Sequence, residues 1–269
     1  EQEGPGVIDS FQFASDFDGY EDTIFRFYYD GETEPYTSAK LFQGMWHSSE
    51  YLFGSNGKSS FYITVKIPFE KSIRITAEIQ TEANQPQLAY WSIRGLLDGP
   101  PVTVGDYQLP GNARLKFYEM EKVILYPLEY LSLASGGQLE DDQSNGILFA
   151  SQLDFKSSSF DYLEGRVTFT SNTKEHFLAT GIDDYLGSAW WFTTSRGTYD
   201  QVSGAGLDKL KEPGSVSGHR IHSRDLIPWE NSFDLLIRNG DRSFDGITLG
   251  EPDITQLSSR VWTYQWKKQ

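Results

Sequence analysis

The punctuation of this chain constrains its fold more than any other feature. From Val7 to Trp266, apolar residues alternate with polar ones over short segments, and glycine or proline interrupts the segments. No stretch sustains a 3.6-residue apolar period beyond about three turns, so no long amphipathic helix can form. Alternation of period two places successive side chains on opposite faces and marks half-buried strands. Such strands are expected over Val7–Ala14, Thr23–Asp30, Ser59–Ile67, Ser72–Gln80, Gln87–Arg94, Gly146–Asp154, Gly165–Ser171, His219–Leu226, Ser232–Arg238 and Arg260–Trp266. Asp30-Gly31-Glu32 reads as a hairpin-type turn, and Pro68 as the stop of the strand before it. Lys40–Phe53, with Trp46 and His47, is ambiguous, and Met120–Leu125 admits helix or strand. Gly95–Asn112, Ser135–Gly146 and Ser195–Gly218 read as connections, the last long and polar enough to carry function. The fold class expected is all-β, a sandwich of jelly-roll type.

A repeat then divides the chain. Ile67-Pro68-Phe69-Glu70-Lys71-Ser72-Ile73 recurs as Ile227-Pro228-Trp229-Glu230-Asn231-Ser232-Phe233, each residue 160 positions on. Tyr90-Trp91-Ser92-Ile93 is echoed by Val261-Trp262-Thr263-Tyr264. A period this long is a duplicated domain and not a solenoid unit. The expectation is two tandem jelly rolls: residues 1–133, with a connecting segment, and residues 134–269.

Composition removes several functions. With 38 acidic against 23 basic residues and a net charge of −15, the chain lacks the basic footprint that nucleic acid or an anionic membrane requires. It contains no cysteine, which excludes disulfides, thiolate catalysis and cysteine-type zinc sites. No apolar run approaches the length of a membrane span. The N-terminus, Glu-Gln-Glu-Gly-Pro-Gly, is not a signal peptide. No Gly-x-Ser-x-Gly or Gly-x-x-x-x-Gly-Lys motif occurs, so neither a nucleophile elbow nor a phosphate loop is expected.

The densest chemistry lies in Thr180–Phe192, Thr-Gly-Ile-Asp-Asp-Tyr-Leu-Gly-Ser-Ala-Trp-Trp-Phe. Asp183 and Asp184 stand between glycines and beside Tyr185, Trp190 and Trp191. Carboxylates can bind sugar hydroxyls or do acid–base work while aromatic faces stack on a sugar ring. The same residues also read as a turn or cation ligand next to core tryptophans. Glu140-Asp141-Asp142 could hold calcium, though it lacks EF-hand spacing and also reads as a solvated acidic turn. His219 and His222 would face opposite ways on a strand, which disfavours zinc. Asp30 and Glu32 share a side of their strand and could join a carboxylate cluster or form a polar hairpin tip.

Five ordered motifs resemble glycoside hydrolase family 172, long catalogued as domain of unknown function 2961. Glu3–Ile8 is similar to that family's Glu-Gly-Pro-Gly-Val-Ile, Phe27–Glu32 to its Tyr-Trp-Asp-Gly-Glu, and Ile67–Ile75 to its Met-Pro-Phe-x-Lys-Ser-x-Arg-Ile. Thr180–Tyr185 resembles Thr-Gly-Thr-Glu-Asp-Tyr, and His219–His222 with Asp225–Trp229 resembles Tyr-Arg-Phe-His-Ile…Asp-Pro-Ile-Pro-Phe. The resemblance implies two jelly rolls, trimers or hexamers, and retaining hydrolysis of fructofuranosides or arabinofuranosides. Retention needs two carboxyls roughly 5–5.5 Å apart.

The departures fall on the chemistry. The family's glutamate is Asp183 here, shorter by a methylene, and small misplacements can cost about a hundredfold in rate. Glu164-Gly165 survives from Glu-Gly-Asp-Asp but is followed by Arg166. The family's Arg/Asp/Gly-Gly-Asn segment lies before the first residue of this sequence, and Glu212, beside Pro213, matches no motif. The expectation is a secreted or extracellular double jelly roll with a structural role, self-assembling as a homo-trimer or higher, with a degenerate glycosidase site. The alternatives are a furanoside hydrolase using Asp183 with Glu164 or Asp184, and a glycan-binding module built on Tyr185, Trp190, Trp191, Asp30 and Glu32. None requires a cofactor.

Overall fold

A computed structural model describes residues 1–15, 19–41, 52–55, 60–79, 88–137, 144–188, 192, 201–202, 205–210, 214–242, 248–249 and 252–268. The protein is all-β, with antiparallel pairing throughout the registers described, and divides into two compact units. The first comprises Glu1–Phe117 with Tyr264–Trp266, the second Tyr118–Thr263 with Lys267–Gln269. The sequence suggests a division at 133/134. The segment in between carries strand-forming residues of the second unit.

The first unit contains β1 (Gln2–Glu3), β2 (Gly6–Ser15), β3 (Ile24–Tyr29), β4 (Thr37–Ala39), β5 (Phe53–Ser55), β6 (Ser60–Ile63), β7 (Ile67–Phe69), β8 (Ser72–Glu78) and β9 (Ala89–Leu97). Two short strands follow, β10 (Thr103–Val104) and β11 (Tyr107–Gln108). One sheet has the order β1-β8-β3-β4. The other has β5-β6-β2, with β7 also on β2 and β9 paired to β2. The alternation read from Thr23–Asp30 is realised in β3, whose Phe25, Phe27 and Tyr29 are fully buried. Phe11 meets Phe25, Phe61 and Trp91, and Phe13 meets Phe25 and Trp91, edge-on or tilted with centroids 5.0 to 5.8 Å apart, while Phe13 stacks on Phe61 at 6.1 Å. Edge-to-face contact suits the aromatic quadrupole, so these rings form the centre of the unit's core.

The second unit contains β12 (Arg114–Leu125, which begins in the first), β13 (Tyr130–Gly136), β14 (Asn145–Lys156), β15 (Val167–Ser171), β16 (Lys174–Ala179) and a four-residue helix, α1 (Ile182–Tyr185). After it come β17 (Gln201–Val202), β18 (Ala205–Leu210), β19 (Ser215–Ile221), β20 (Ile227–Trp229), β21 (Phe233–Arg238), β22 (Asp241–Arg242), β23 (Thr248–Leu249) and β24 (Thr255–Trp266). One sheet runs β12-β24-β14-β19-β18-β17, with β20 also on β14, and the other β13-β21-β15-β16. Taking β12, β13, β14, β15, β16, β19, β21 and β24 as eight successive strands, the first, last, third and sixth form one sheet. The second, seventh, fourth and fifth form the other. That is jelly-roll order.

The first unit repeats this plan. Its β1-β8-β3-β4 sheet corresponds to β13-β21-β15-β16, and its β5-β6-β2-β9 set to β18-β19-β14-β24. The sequence repeat is therefore a structural one. Ile67, Pro68 and Phe69 pair with Ile8, Val7 and Gly6, while Ile227, Pro228 and Trp229 pair with Leu148, Ile147 and Gly146. The amide of Gly4 donates to the Lys71 carbonyl at 2.7 Å, and that of Ser144 to Asn231 at 3.1 Å. Asp30 N–H reaches Ser72 O, and Asn172 N–H reaches Ser232 O, with Asp30 and Asn172 both at positive φ.

Three expectations change. Pro68 does not end a strand at Ile67: the run breaks at residues 64–66, and the proline sits within β7. Proline is tolerated there because β7 is a three-residue strand. Met120–Leu125 is strand, the last half of β12. Ser195–Gly218 is not one long connection, because β17, β18 and the start of β19 lie in it. In β19 the buried positions include Ser217, Gly218 and His219, so a polarity pattern misreads them.

Candidate functional site

The Thr180–Gly187 corner belongs to the second unit. Strand β16 ends at Ala179, Gly181 precedes α1, and Gly187 closes the corner with φ of 75°. Gly187 thus needs the left-handed freedom of glycine, but Gly181 does not, since its φ is −126°. Gly181 is required for space: a Cβ there would lie 2.5 Å from Asp183 Oδ1 and 2.9 Å from the Leu163 carbonyl.

Both aspartates are engaged by the corner itself. Asp184, exposed, turns back so that Oδ2 accepts from Gly181 N–H at 3.0 Å and from the Thr180 hydroxyl. This satisfies an orphan amide at the start of the helix. Asp183 is 6% exposed. Its Oδ1 accepts from Asp184 N–H at 2.9 Å, and its carbonyl accepts from Ser188 N–H at 2.8 Å. Beneath lies Tyr162, 1% exposed, whose phenol is pushed far up by burial and then by the charges of Asp154 and Asp183. Glu164 is half-buried at the end of the 3-10 turn Asp161–Glu164, against which α1 packs.

Tyr185 points into the core, 4% exposed, and its ring offers no face to solvent. The helical turn places it on the same side as Ile182, which is fully buried. Its Oη lies 2.8 Å from Ser151 Oγ and 3.0 Å from His222 Nε2. His222 Nδ1 is 3.3 Å from Asp225 Oδ2, and the Arg220 guanidinium also grips Asp225. With Tyr185 donating to Nε2, the neutral ring carries its proton on Nδ1, which faces the Asp225 carboxylate at ion-pair distance. Burial above all lowers His222 from its ordinary value of 6.5. Burial pushes Asp225 the other way, but hydrogen bonds from His222 and Arg220 outweigh it and bring the carboxyl to about 2. Burial also raises the Tyr185 phenol, so it stays protonated. This Ser151–Tyr185–His222–Asp225–Arg220 relay was not anticipated. Its residues His222 and Asp225 stand in the sequence only as parts of the family-like motif, with His219 and His222 weighed as a zinc pair.

The remaining residues lie apart from this relay. Arg166, where the resemblance expects a carboxylate, donates to Asp241 from Nη2 at 3.1 Å and Nε at 3.3 Å, and Arg238 shares the same carboxylate. Asp30 and Glu32 are in the first unit and both meet Arg114, at 2.7 and 2.6 Å. Asp30 Oδ1 also accepts from the amides of Lys71 and Ser72. Asp30 therefore fixes its own turn. Trp190, Trp191, Glu212 and the Glu140-Asp141-Asp142 cluster lie outside the described residues, as do Trp46 and His47. Among the described residues, no three His, Asp or Glu side chains gather as a metal site. Among the described residues no helix is long and apolar enough to cross a membrane.

Comparison with known proteins bears on the first unit. Residues 1–97 match the family described as the GH172 first β-sandwich domain, so the chain resembles that family over about a third of its length. No curated protein matches the chain. Among solved structures, one from infectious bursal disease virus strain Gx is similar over 96% of this chain at 10% identity and a TM-score of 0.31. This chain spans 57% of the length of that one, and the likeness is too distant to inform function.

Proposed function

We propose, from the likeness of residues 1–97 to the GH172 first β-sandwich domain, that this protein is a secreted, self-assembling double jelly roll whose glycosidase site has become structural. The observation that carries this reading is the use made of the carboxylates in the Thr180–Gly187 corner. Asp184 is committed to Gly181 N–H and the Thr180 hydroxyl, and Asp183 is buried with Oδ1 on the next amide. A nucleophile or general acid needs a carboxylate oxygen that faces substrate. The buried Tyr185 and the Arg166–Asp241 pair are likewise consistent with a site turned to holding the fold together. A fold kept without its chemistry is ordinary, since function resides in the site.

The second reading is a retaining furanosidase that uses Asp183 with Glu164 or Asp184. The family likeness and the packing of α1 on the turn that ends in Glu164 favour it. Aryl α- and β-fructofuranosides and arabinofuranosides, assayed on the wild type beside Asp183→Asn, decide between the two. The scaffold reading expects no turnover from either protein and an oligomer by light scattering. Turnover that vanishes in Asp183→Asn establishes the enzyme, and a monomer at micromolar concentration refutes the assembly.

A further inference from the structure

An aspartate or asparagine that precedes glycine has a reactivity of its own. The glycine amide, unshielded by a side chain, can reach the side-chain carbonyl carbon of the residue before it. Four such pairs have both residues described: Asp30-Gly31, Asp98-Gly99, Asn145-Gly146 and Asn239-Gly240. The fold restrains three of them. Asp30 Oδ1 accepts from the amides of Lys71 and Ser72 at 2.7 and 3.2 Å, and Oδ2 accepts from the Arg114 guanidinium at 2.7 Å. Asn145 Oδ1 accepts from Asn231 N–H at 3.3 Å, and Gly146 is buried and paired with Trp229. Asn239, 2% exposed, donates from Nδ2 to the carbonyls of Leu125 and Asp253 and accepts from the Thr255 hydroxyl. Gly240 N–H is tied to the Tyr162 carbonyl.

Asp98 and Gly99 have none of these restraints. Both are exposed, just past the last residue of β9. Among the described residues, the Asp98 carboxylate meets no donor and Gly99 N–H meets no acceptor. The one backbone bond at Asp98 runs from its amide to the Pro5 carbonyl at 3.0 Å, ahead of the link to Gly99. Asp98 has a φ of 51°, a left-handed conformation that a side chain disfavours. A Cβ built on Gly99 meets nothing but the Leu96 side chain, at 3.2 and 3.7 Å, so no backbone packs over this residue. Pro100 and Pro101 follow, and neither has an amide N–H to tie the turn down.

We propose that Asp98-Gly99 is a self-modification site, where the folded chain isomerises to isoaspartate. The Gly99 nitrogen attacks Asp98 Cγ and forms a new N–Cγ bond. The carboxyl hydroxyl departs with the amide proton as water, which closes a five-membered succinimide. Water then adds to an imide carbonyl. Addition at the former main-chain carbonyl breaks its bond to nitrogen and frees that group as a carboxylate, so the chain now runs through Cγ. One water leaves and one returns, and nothing is oxidised or reduced. The product lengthens the main chain by one methylene between β9 and β10. This inference does not depend on the state of the carboxylate corner.

The test incubates the 269-residue chain at neutral pH in heavy-oxygen water, folded and in urea. Samples are digested in ordinary water, and electron-transfer fragmentation tells isoaspartate from aspartate in each peptide. The expected result is isoaspartate at position 98 of the folded chain, with one heavy oxygen gained. It should form about tenfold or more faster than at position 30, where hydrogen bonds must first break in a local opening. In urea the two positions should react alike, because their restraints are gone. Conversion at 98 should be lost in Asp98→Glu, whose longer side chain cannot close the five-membered ring. Circular dichroism checks the fold of that variant. Should it not fold, the folded and unfolded wild-type chains decide alone. Isoaspartate confined to the unfolded chain, equal rates at 30 and 98 in the folded chain, or no conversion at 98 in either state overturns the proposal.

Discussion

Tyr185 and His222 meet 3.0 Å apart in the interior of the second unit, one side chain 4% exposed and the other 2%. Each also holds a second partner, Ser151 for the phenol and Asp225 for the imidazole. Removing the phenolic oxygen by Tyr185→Phe leaves Ser151 and His222 Nε2 buried without it. The expected loss is about 1–3 kcal/mol, the cost of stranding buried polar groups. Urea unfolding of the two proteins measures it, and a change below about 0.5 kcal/mol would show that the relay is not structural.

The same relay sets an acid sensitivity. Both His222 and Asp225 have folded values below their ordinary ones. In each case the unfolded chain binds more protons as pH falls, so stability declines toward acid. The His222 contribution is whole above 6.5 and is lost as pH drops below that and through the lowered folded value. The Asp225 contribution is lost between 3.8 and about 2. The thermal midpoint should fall in two steps, and His222→Gln should flatten the upper one. A wild-type midpoint unchanged from pH 7 to about pH 5 would contradict this assignment.

Gly181→Ala tests the corner. The new Cβ meets Asp183 Oδ1 and the Leu163 carbonyl well inside van der Waals contact, and the carbonyl is backbone that cannot swing aside. We expect destabilisation of about 1–3 kcal/mol, as for overpacking elsewhere. Gly111→Ala serves as the control, because a Cβ there meets nothing within 4 Å. Equal midpoints for the two variants would refute the steric account.

Arg114 bridges Asp30 and Glu32, with Asp30 9% exposed. Backbone amides and this guanidinium hold the Asp30 carboxyl below its usual range against its burial. Arg114→Ala should cost about 1–3 kcal/mol, because it leaves a half-buried carboxylate short of a partner. Arg114→Lys should recover only part, since an ammonium cannot present the two-pronged fork. Full recovery by lysine would reduce the bridge to simple charge.

The fold was more legible than the site, for a physical reason. Strand alternation and the Ile-Pro-x-Glu corner are local patterns, and they gave β3, β8, β21 and the duplication directly. Polar residues buried in a strand leave no such pattern, which is why the start of β19, with Ser217 and Gly218 buried, read as part of a loop while its end was expected as strand from His219. At the site, Asp-Asp-Tyr announces carboxylates beside an aromatic ring but does not reveal which way the chain coils. One turn of helix sends Tyr185 inward and leaves Asp184 outside, folded back on its own backbone. For Asp30 and Glu32 both a carboxylate cluster and a polar hairpin tip stayed open, because the partner that engages them, Arg114, is distant in sequence.

The matched corners at Ile67–Ile73 and Ile227–Phe233 give the molecule an internal reference. The two share backbone register while differing in side chains, phenylalanine against tryptophan and lysine against asparagine. Whatever temperature, solvent or expression history acts on one acts on its twin in the same polypeptide. A substitution made first at one corner and then at the other thus reports how neighbourhood, and not backbone, sets its effect.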